Sequence, residues 1–245
     1  MAVARRTRAI LLVTALLVVA VAGAAVYYFF FAGDAPPPAA LSEPVGDDTA
    51  AGDGAEGPTS LDGTWVVLTR AETDEADSFA GYRVTETVLG VGRPREAVGR
   101  TRQVDGMVAI DGTTITAAEV TADLSTLLSD DGRRDDVLRG RGLETREFPT
   151  TSFRLTEPIE LGTIPAPGER RSVTAVGELT LHGATRTVSI PLEAAIIGGS
   201  EPRIEIAGGV EIDMADFAIE PPNVAGVVTV EDRGTVEVHL YLAPA

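Results

Sequence analysis

Residues 107–122 read MVAIDGTTITAAEVTA. A short apolar run, 107–110, meets Asp111-Gly112, and a second run of strand composition, 113–122, follows. Asp-Gly between two such runs predicts a tight hairpin, because glycine supplies the positive φ that a turn twisting with its strands requires. The fold class is decided here: the chain pairs locally and antiparallel.

The same period of two extends on both sides of this hairpin. Residues 63–70 (GTWVVLTR) and 82–89 (YRVTETVL) have strand composition upstream. Downstream, strands are predicted over 153–156, 172–176, 179–181, 188–192, 203–206, 210–212 and 235–242. The turn His182-Gly183-Ala184-Thr185 joins two of them. In the last strand Val236, Val238, Leu240 and Leu242 share one face, and Glu237, His239 and Tyr241 share the other. The interruption is 124–148, LSTLLSDDGRRDDVLRGRGLETREF, whose charges and Leu138/Leu143 spacing predict one or two short helices across the mouth of the sheet. A single antiparallel domain over 61–245 results, and such a meander is buried either as a closed barrel or as two packed sheets.

Upstream the sequence changes character. Residues 9–32 carry no charge (AILLVTALLVVAVAGAAVYYFFFA), and a helix of that length rises about 36 Å, enough for a hydrocarbon core of roughly 30 Å. Arg5, Arg6 and Arg8 precede it and acids follow it. The charge bias therefore predicts a cytoplasmic N-terminus, 1–8, a single-pass signal anchor, 9–32, and a body outside the cell membrane. A cleaved signal peptide ending near Ala22-Gly23-Ala24 is the rival reading. Residues 33–60 are Ala, Pro, Gly, Asp and Glu with little that is large and apolar, and are expected to form a flexible acidic tether.

Composition removes several chemistries. Hydrophobic residues make up 44% of the chain, enough for a core, but aromatics only 5%, so that core is mainly aliphatic. Net charge is -17; setting aside Arg5, Arg6 and Arg8 leaves -20 for the rest, which repels phosphate backbones and argues against nucleic acid. The absence of cysteine excludes disulfides, thiolate metal sites and thiol nucleophiles. The absence of lysine excludes Schiff-base and Ser–Lys mechanisms.

What remains offers little catalytic machinery. His182 and His239 are the only histidines, and neither has a second ligand at metal-binding spacing. No Gly-x-Ser-x-Gly elbow occurs. Acidic pairs such as Asp130-Asp131, Asp135-Asp136 and Glu231-Asp232 read as solvated turn formers, and Arg133-Arg134 as a surface ion-pair cluster or as donors at a pocket rim. The expectation is a protein without catalytic residue, metal or cofactor.

Three stretches resemble the YceI-like family, described as polyisoprenoid-binding proteins of lipocalin-like barrel fold. In 120–153 the similar residues are Arg134, Asp135, Leu138, Arg139, Phe148, Pro149 and Phe153. In 177–192 they are Leu179, Thr180, His182, Gly183, Thr185 and Arg186, and in 210–219 Asp216, Phe217 and Ile219. The pattern departs at 68–79, where an Asp and a His-Ser pair are often found. It departs again at Met214 and Ala218, in place of an Arg and a Gly.

The resemblance implies an all-β, antiparallel lipocalin-like barrel whose apolar hollow holds an elongated ligand: a polyisoprenoid, a quinone or a lipid. Candidate lining residues are Phe79, Tyr82, Val84, Leu124, Leu138, Leu143, Phe148, Phe153 and Phe217. The partners expected are that ligand and the membrane, and a homodimer is compatible with the reading. Two other readings compete. One is a structural or interaction domain working through loops such as 163–171; the other is a lipid-acting enzyme with His182 or a buried acid at the cavity wall.

Overall fold

The computed structural model describes residues 35–42, 58–69, 77–88, 94–197, 202–222 and 228–245. Two compact units are present, Met1–Pro36 and Pro37–Ala245, and every described strand belongs to the second. No helix among the described residues is long and apolar enough to cross a membrane; the predicted anchor, 9–32, lies outside them.

Among the described residues, eleven strands form one sheet: β1 (Gly63–Val67), β2 (Phe79–Val88), β3 (Pro94–Thr101), β4 (Val104–Asp111), β5 (Thr114–Asp123), β6 (Thr150–Leu155), β7 (Ile159–Glu160), β8 (Arg170–Leu181), β9 (Ala184–Ile197), β10 (Arg203–Asp213) and β11 (Val228–Pro244). Every pairing between named strands is antiparallel, in the order β1-β4-β5-β6-β8-β9-β10-β11, and β11 pairs back to β1. Eight strands thus close a ring, which removes the exposed edges an open sheet would carry. The long β11 serves two neighbours on its free side. Residues 242–244 pair with β1, and residues 228–239 pair with β2, which carries β3 beside it. A bridge from Arg100 to Leu128 returns β3 to the segment after β5, so the far end of the barrel is walled by β2 and β3.

The decisive hairpin forms, one residue away from its expected place. Asp111 pairs with Thr114, and the two-residue loop is Gly112-Thr113, with Gly112 at φ 60°. The predicted strands 172–176 and 179–181 are one strand, β8, because Gly177 does not break it. A Cβ there would come within 2.6 Å of the Phe153 ring on β6, so glycine is what lets the two strands pack. Likewise 203–206 and 210–212 join as β10. Sequence reading misses β3, which begins at a proline and has no period of two in PREAVGRT, and the two-residue β7.

Helical structure falls where expected, in the 124–148 interruption. A single turn, Leu124–Thr126, is followed by α1 (Gly132–Val137) and a wider turn, Leu138–Gly142. Asp131 caps α1 by accepting from the Arg133 and Arg134 amides, offsetting two of the unpaired donors of a helix start. Arg139 donates to the Leu127 carbonyl and ties this arm to the barrel.

Inward residues alternate with outward ones and build two cores along the barrel. Near the β4–β5 turn lie Leu61, Trp65, Val108, Ile204, Leu240 and Leu242. At the helical end lie Leu124, Leu127, Leu143, Leu179, Met214 and Phe217.

The expectation of an unpacked tether over 33–60 does not hold for 37–42. Leu41 is buried against Ala195 and Ala207 on the outer face of β9 and β10. The Ser42 amide and hydroxyl both donate to Glu205 at 2.8 Å, the Ala39 amide donates to Glu237 at 3.3 Å, and the Pro37 carbonyl accepts from Arg100. One apolar side chain and a set of buried carboxylates supply what the composition alone does not reveal. Residues 43–57 lie outside the described part.

Candidate functional site

The near half of the barrel is not filled. Between its inward faces is a cavity of about 160 Å³. Its wall is built by register: Val173 on β8 stands opposite Leu192 on β9, and Ala175 opposite Ile190, and all four line the space. Ile206 and Leu240 are likewise paired across β10 and β11, and Val120 faces Phe153 across β5 and β6. Alternation explains the chemistry, since these strands turn most of their aliphatic side chains inward and most of their charges outward. The surface inside is therefore almost wholly hydrocarbon.

Two features bound the cavity along the barrel. Towards the helical end, Phe153 and Leu179 separate it from the second core, to which Leu179 also belongs. Towards the β4–β5 turn, the connection from β7 to β8 folds over the opening, with Leu161 and Pro165 lining the space and Ile164 packed on the near core. The Gly168 amide donates to the Ile196 carbonyl at 2.8 Å and fastens this connection to β9.

Charged residues touch the cavity at two places. Glu237 contributes to the wall, but its carboxylate points outward to Arg100, 2.8 Å away, and Arg83. Arg171 lies on the inward face of β8, opposite Ala194. One terminal nitrogen of Arg171 donates to Glu169 at 2.8 Å and to Thr163 at 3.4 Å, both on the connection over the mouth. Its Nε is buried and has no hydrogen-bond partner among the described residues.

The polar clusters lie elsewhere. On the outer face, Glu205 is 2% exposed and accepts from His239 at 2.7 Å and from Ser42. Burial alone would raise its carboxyl, but the bonds from His239 and Ser42 outweigh that and hold it at about 2. At the helical end Glu86 joins Arg95 and Arg134, and burial pushes the Tyr82 hydroxyl well above its usual range.

Of the nine residues proposed from sequence, Phe153 lines the cavity. Leu124, Leu143 and Phe217 are buried in the second core, with Tyr82, Val84 and Leu138 packed against it. Phe148 stacks edge-on against His182, 4.5 Å between ring centroids, and Phe79 sits on the outer face beside His239 and under the Arg100 guanidinium. These eight are not among the residues that line this cavity.

The lining residues that sequence reading misses are small aliphatics of β8 to β10, such as Val173, Ala175 and Leu192. Their signal is alternation in RRSVTAVGELTL, which also places Arg171 on the inward face.

His182 and His239 are far apart in role. His239 belongs to the outer network. The His182 ring is within hydrogen-bond distance of the Phe217 carbonyl at 3.2 Å and the Glu144 carboxylate at 3.1 Å, tying the β8–β9 turn to the 214–217 turn and to the helical arm. Neither lines the cavity, whose lining residues include no nucleophile beside a base.

Residues 72–242 match the protein family described as the YceI-like domain. No curated protein matches the chain at a significant level. Among solved structures, a polyisoprenoid-binding domain from Saccharophagus degradans implicated in plant cell wall breakdown is similar. It has TM-score 0.56 and 16% identity over 74% of this chain and 98% of that one. BcnA of Burkholderia cenocepacia aligns with TM-score 0.46 and 18% identity, covering 66% of this chain and 95% of that one. A YceI protein of Campylobacter jejuni gives 0.49 and 14%, covering 60% and 84%. At these identities the likeness concerns the fold.

Proposed function

Because the chain belongs to the YceI-like family, we propose that it is a binding or carrier protein for an elongated apolar ligand held in the near half of the barrel. The observation that carries this reading is the cavity itself, about 160 Å³ and walled by aliphatic side chains. An apolar cavity of about 150 Å³ stays dry and admits a hydrocarbon ring. A space of this size therefore takes one segment of a chain, with the remainder leaving through the mouth under the β7–β8 connection. Each buried CH₂ contributes about 0.8 kcal/mol before ordering costs, so affinity rises with the number of methylenes that the one enclosed segment buries. The polyisoprenoid bound by the Saccharophagus domain belongs to this chemical class, as do quinone tails and acyl lipids.

The reading extends to location. The apolar run 9–32, preceded by arginines, is proposed to anchor the chain in the cell membrane as a single pass, with the barrel outside. Such an anchor keeps the carrier beside the phase that supplies its ligand. Protease protection of the barrel in intact cells, lost on permeabilising the outer layers only, tests the orientation.

Native mass spectrometry of the full chain, released from membranes into a detergent that is then stripped in the gas phase, tests the binding reading. A stoichiometric adduct of lipid mass is expected. A bare chain that also fails to take up the neutral fluorophore N-phenyl-1-naphthylamine would refute the carrier.

A further inference from the structure

We infer that the cavity selects ligands whose apolar chain ends in a hydrogen-bond acceptor, with Arg171 as the receiving group. This rests on the carrier reading and adds the chemistry of the ligand's end. Among the residues lining the cavity Arg171 and Glu237 are the charged ones, and the Glu237 carboxylate is turned to the outer face and engaged there by Arg100. Of the two, Arg171 alone brings its charge to the inward face, at the end covered by the β7–β8 connection.

Its bonding is incomplete in a particular way. Glu169 and Thr163 take one terminal nitrogen, while Nε, with less than 1 Å² accessible, has no acceptor among the described residues. A buried donor left without an acceptor is costly, and native proteins keep few of them. Here the neighbouring wall is hydrocarbon and offers no oxygen. A ligand lying with its chain along Val173 and Leu192 and its terminal oxygen at Arg171 supplies one. The guanidinium suits carboxylate, phosphate, carbonyl or hydroxyl oxygen, has no lone pair for a donor, and repels an ammonium group.

Arg171 also helps hold the connection over the mouth through Glu169, whose other oxygen accepts from the Ala166 amide. A purely structural role would affect every ligand alike, so the test is selectivity. The full chain and its Arg171→Met variant are titrated with dodecanoate, dodecan-1-ol, dodecylammonium and dodecane, each read by displacement of N-phenyl-1-naphthylamine. A Glu169→Gln variant is run beside them, since it loosens the connection and keeps the guanidinium.

The wild type is expected to bind the two acceptor-ended chains at least about tenfold more tightly than dodecane, and the ammonium least. Arg171→Met should level the series while leaving dodecane unchanged, and Glu169→Gln should retain the ranking. Equal affinities in the wild type, or a loss in Arg171→Met that is the same for all four, overturns the inference and leaves the carrier standing. No displacement by any of the four overturns both.

Discussion

Ala218 occupies the left-handed region at φ 54°, ψ 29°, closing the one-turn helix Met214–Phe217. A side chain there costs roughly 1–2 kcal/mol, and the residue is exposed, so its methyl returns nothing by burial. Glycine at this place would relieve the strain but lose more freedom on folding. Ala218→Gly is accordingly expected to stabilise by about 0.5–1 kcal/mol net, read as a higher urea midpoint at unchanged slope; a lower midpoint would mean that the strain is absent. Glu205 gives the second residue-scale expectation. Its folded-state carboxyl lies below the ordinary carboxylate value, so its stabilising contribution is complete above about 4.5 and is lost as pH falls through about 2. The loss is of order 2 kcal/mol. Urea unfolding across that interval should show it, and Glu205→Gln should flatten the acid limb; an identical limb in the variant would exclude Glu205 as its source.

At the scale of elements, the strap 37–42 is the feature with its own stability. Leu41 is its only buried apolar side chain, and hydrogen bonds to Glu205, Glu237, Arg100, Arg170 and Tyr241 attach it further. Leu41→Ala should loosen it by about 2 kcal/mol without opening the barrel. Amide exchange at Ala39 and Ser42 is then expected to speed up about thirtyfold, with the amides of β10 and β11 unchanged. Acceleration in all of them together would show that the strap and barrel open as one unit. The strap also marks where the sequence ceases to be legible. A lone leucine among Ala, Pro and Ser has no period, and its partners are two glutamates more than 160 residues away. Elements with a period are readable: β8 to β11 announce themselves by alternation, and the Asp-Gly signal locates its hairpin to within one residue. β3 is not, since PREAVGRT turns Glu96 and Arg100 outward to ion pairs and Gly99 inward beneath Tyr82.

Along the barrel, the described residues form a core at the helical end and enclose a cavity towards the β4–β5 turn. At the helical end Phe217, Tyr82, Leu127 and Leu138 meet. A search of the sequence for a binding site goes to those large residues. Large residues fill space, however, and the cavity wall is mainly Val, Ala, Ile and Leu, with Phe153 its one aromatic ring among the described residues. Ala175 is the sharpest instance: buried, on the cavity wall, and opposite Ile190. Ala175→Phe would place a phenyl group in a space that a cavity of similar volume shows to be about the size of benzene. It should therefore occupy the site, lowering affinity for N-phenyl-1-naphthylamine more than tenfold. The melting temperature should hold or rise, because filling a void adds contacts where overpacking would remove them. If the variant binds the fluorophore as the wild type does, ligands enter somewhere other than this hollow. If it melts far lower, the near half of the barrel is already packed to its limit.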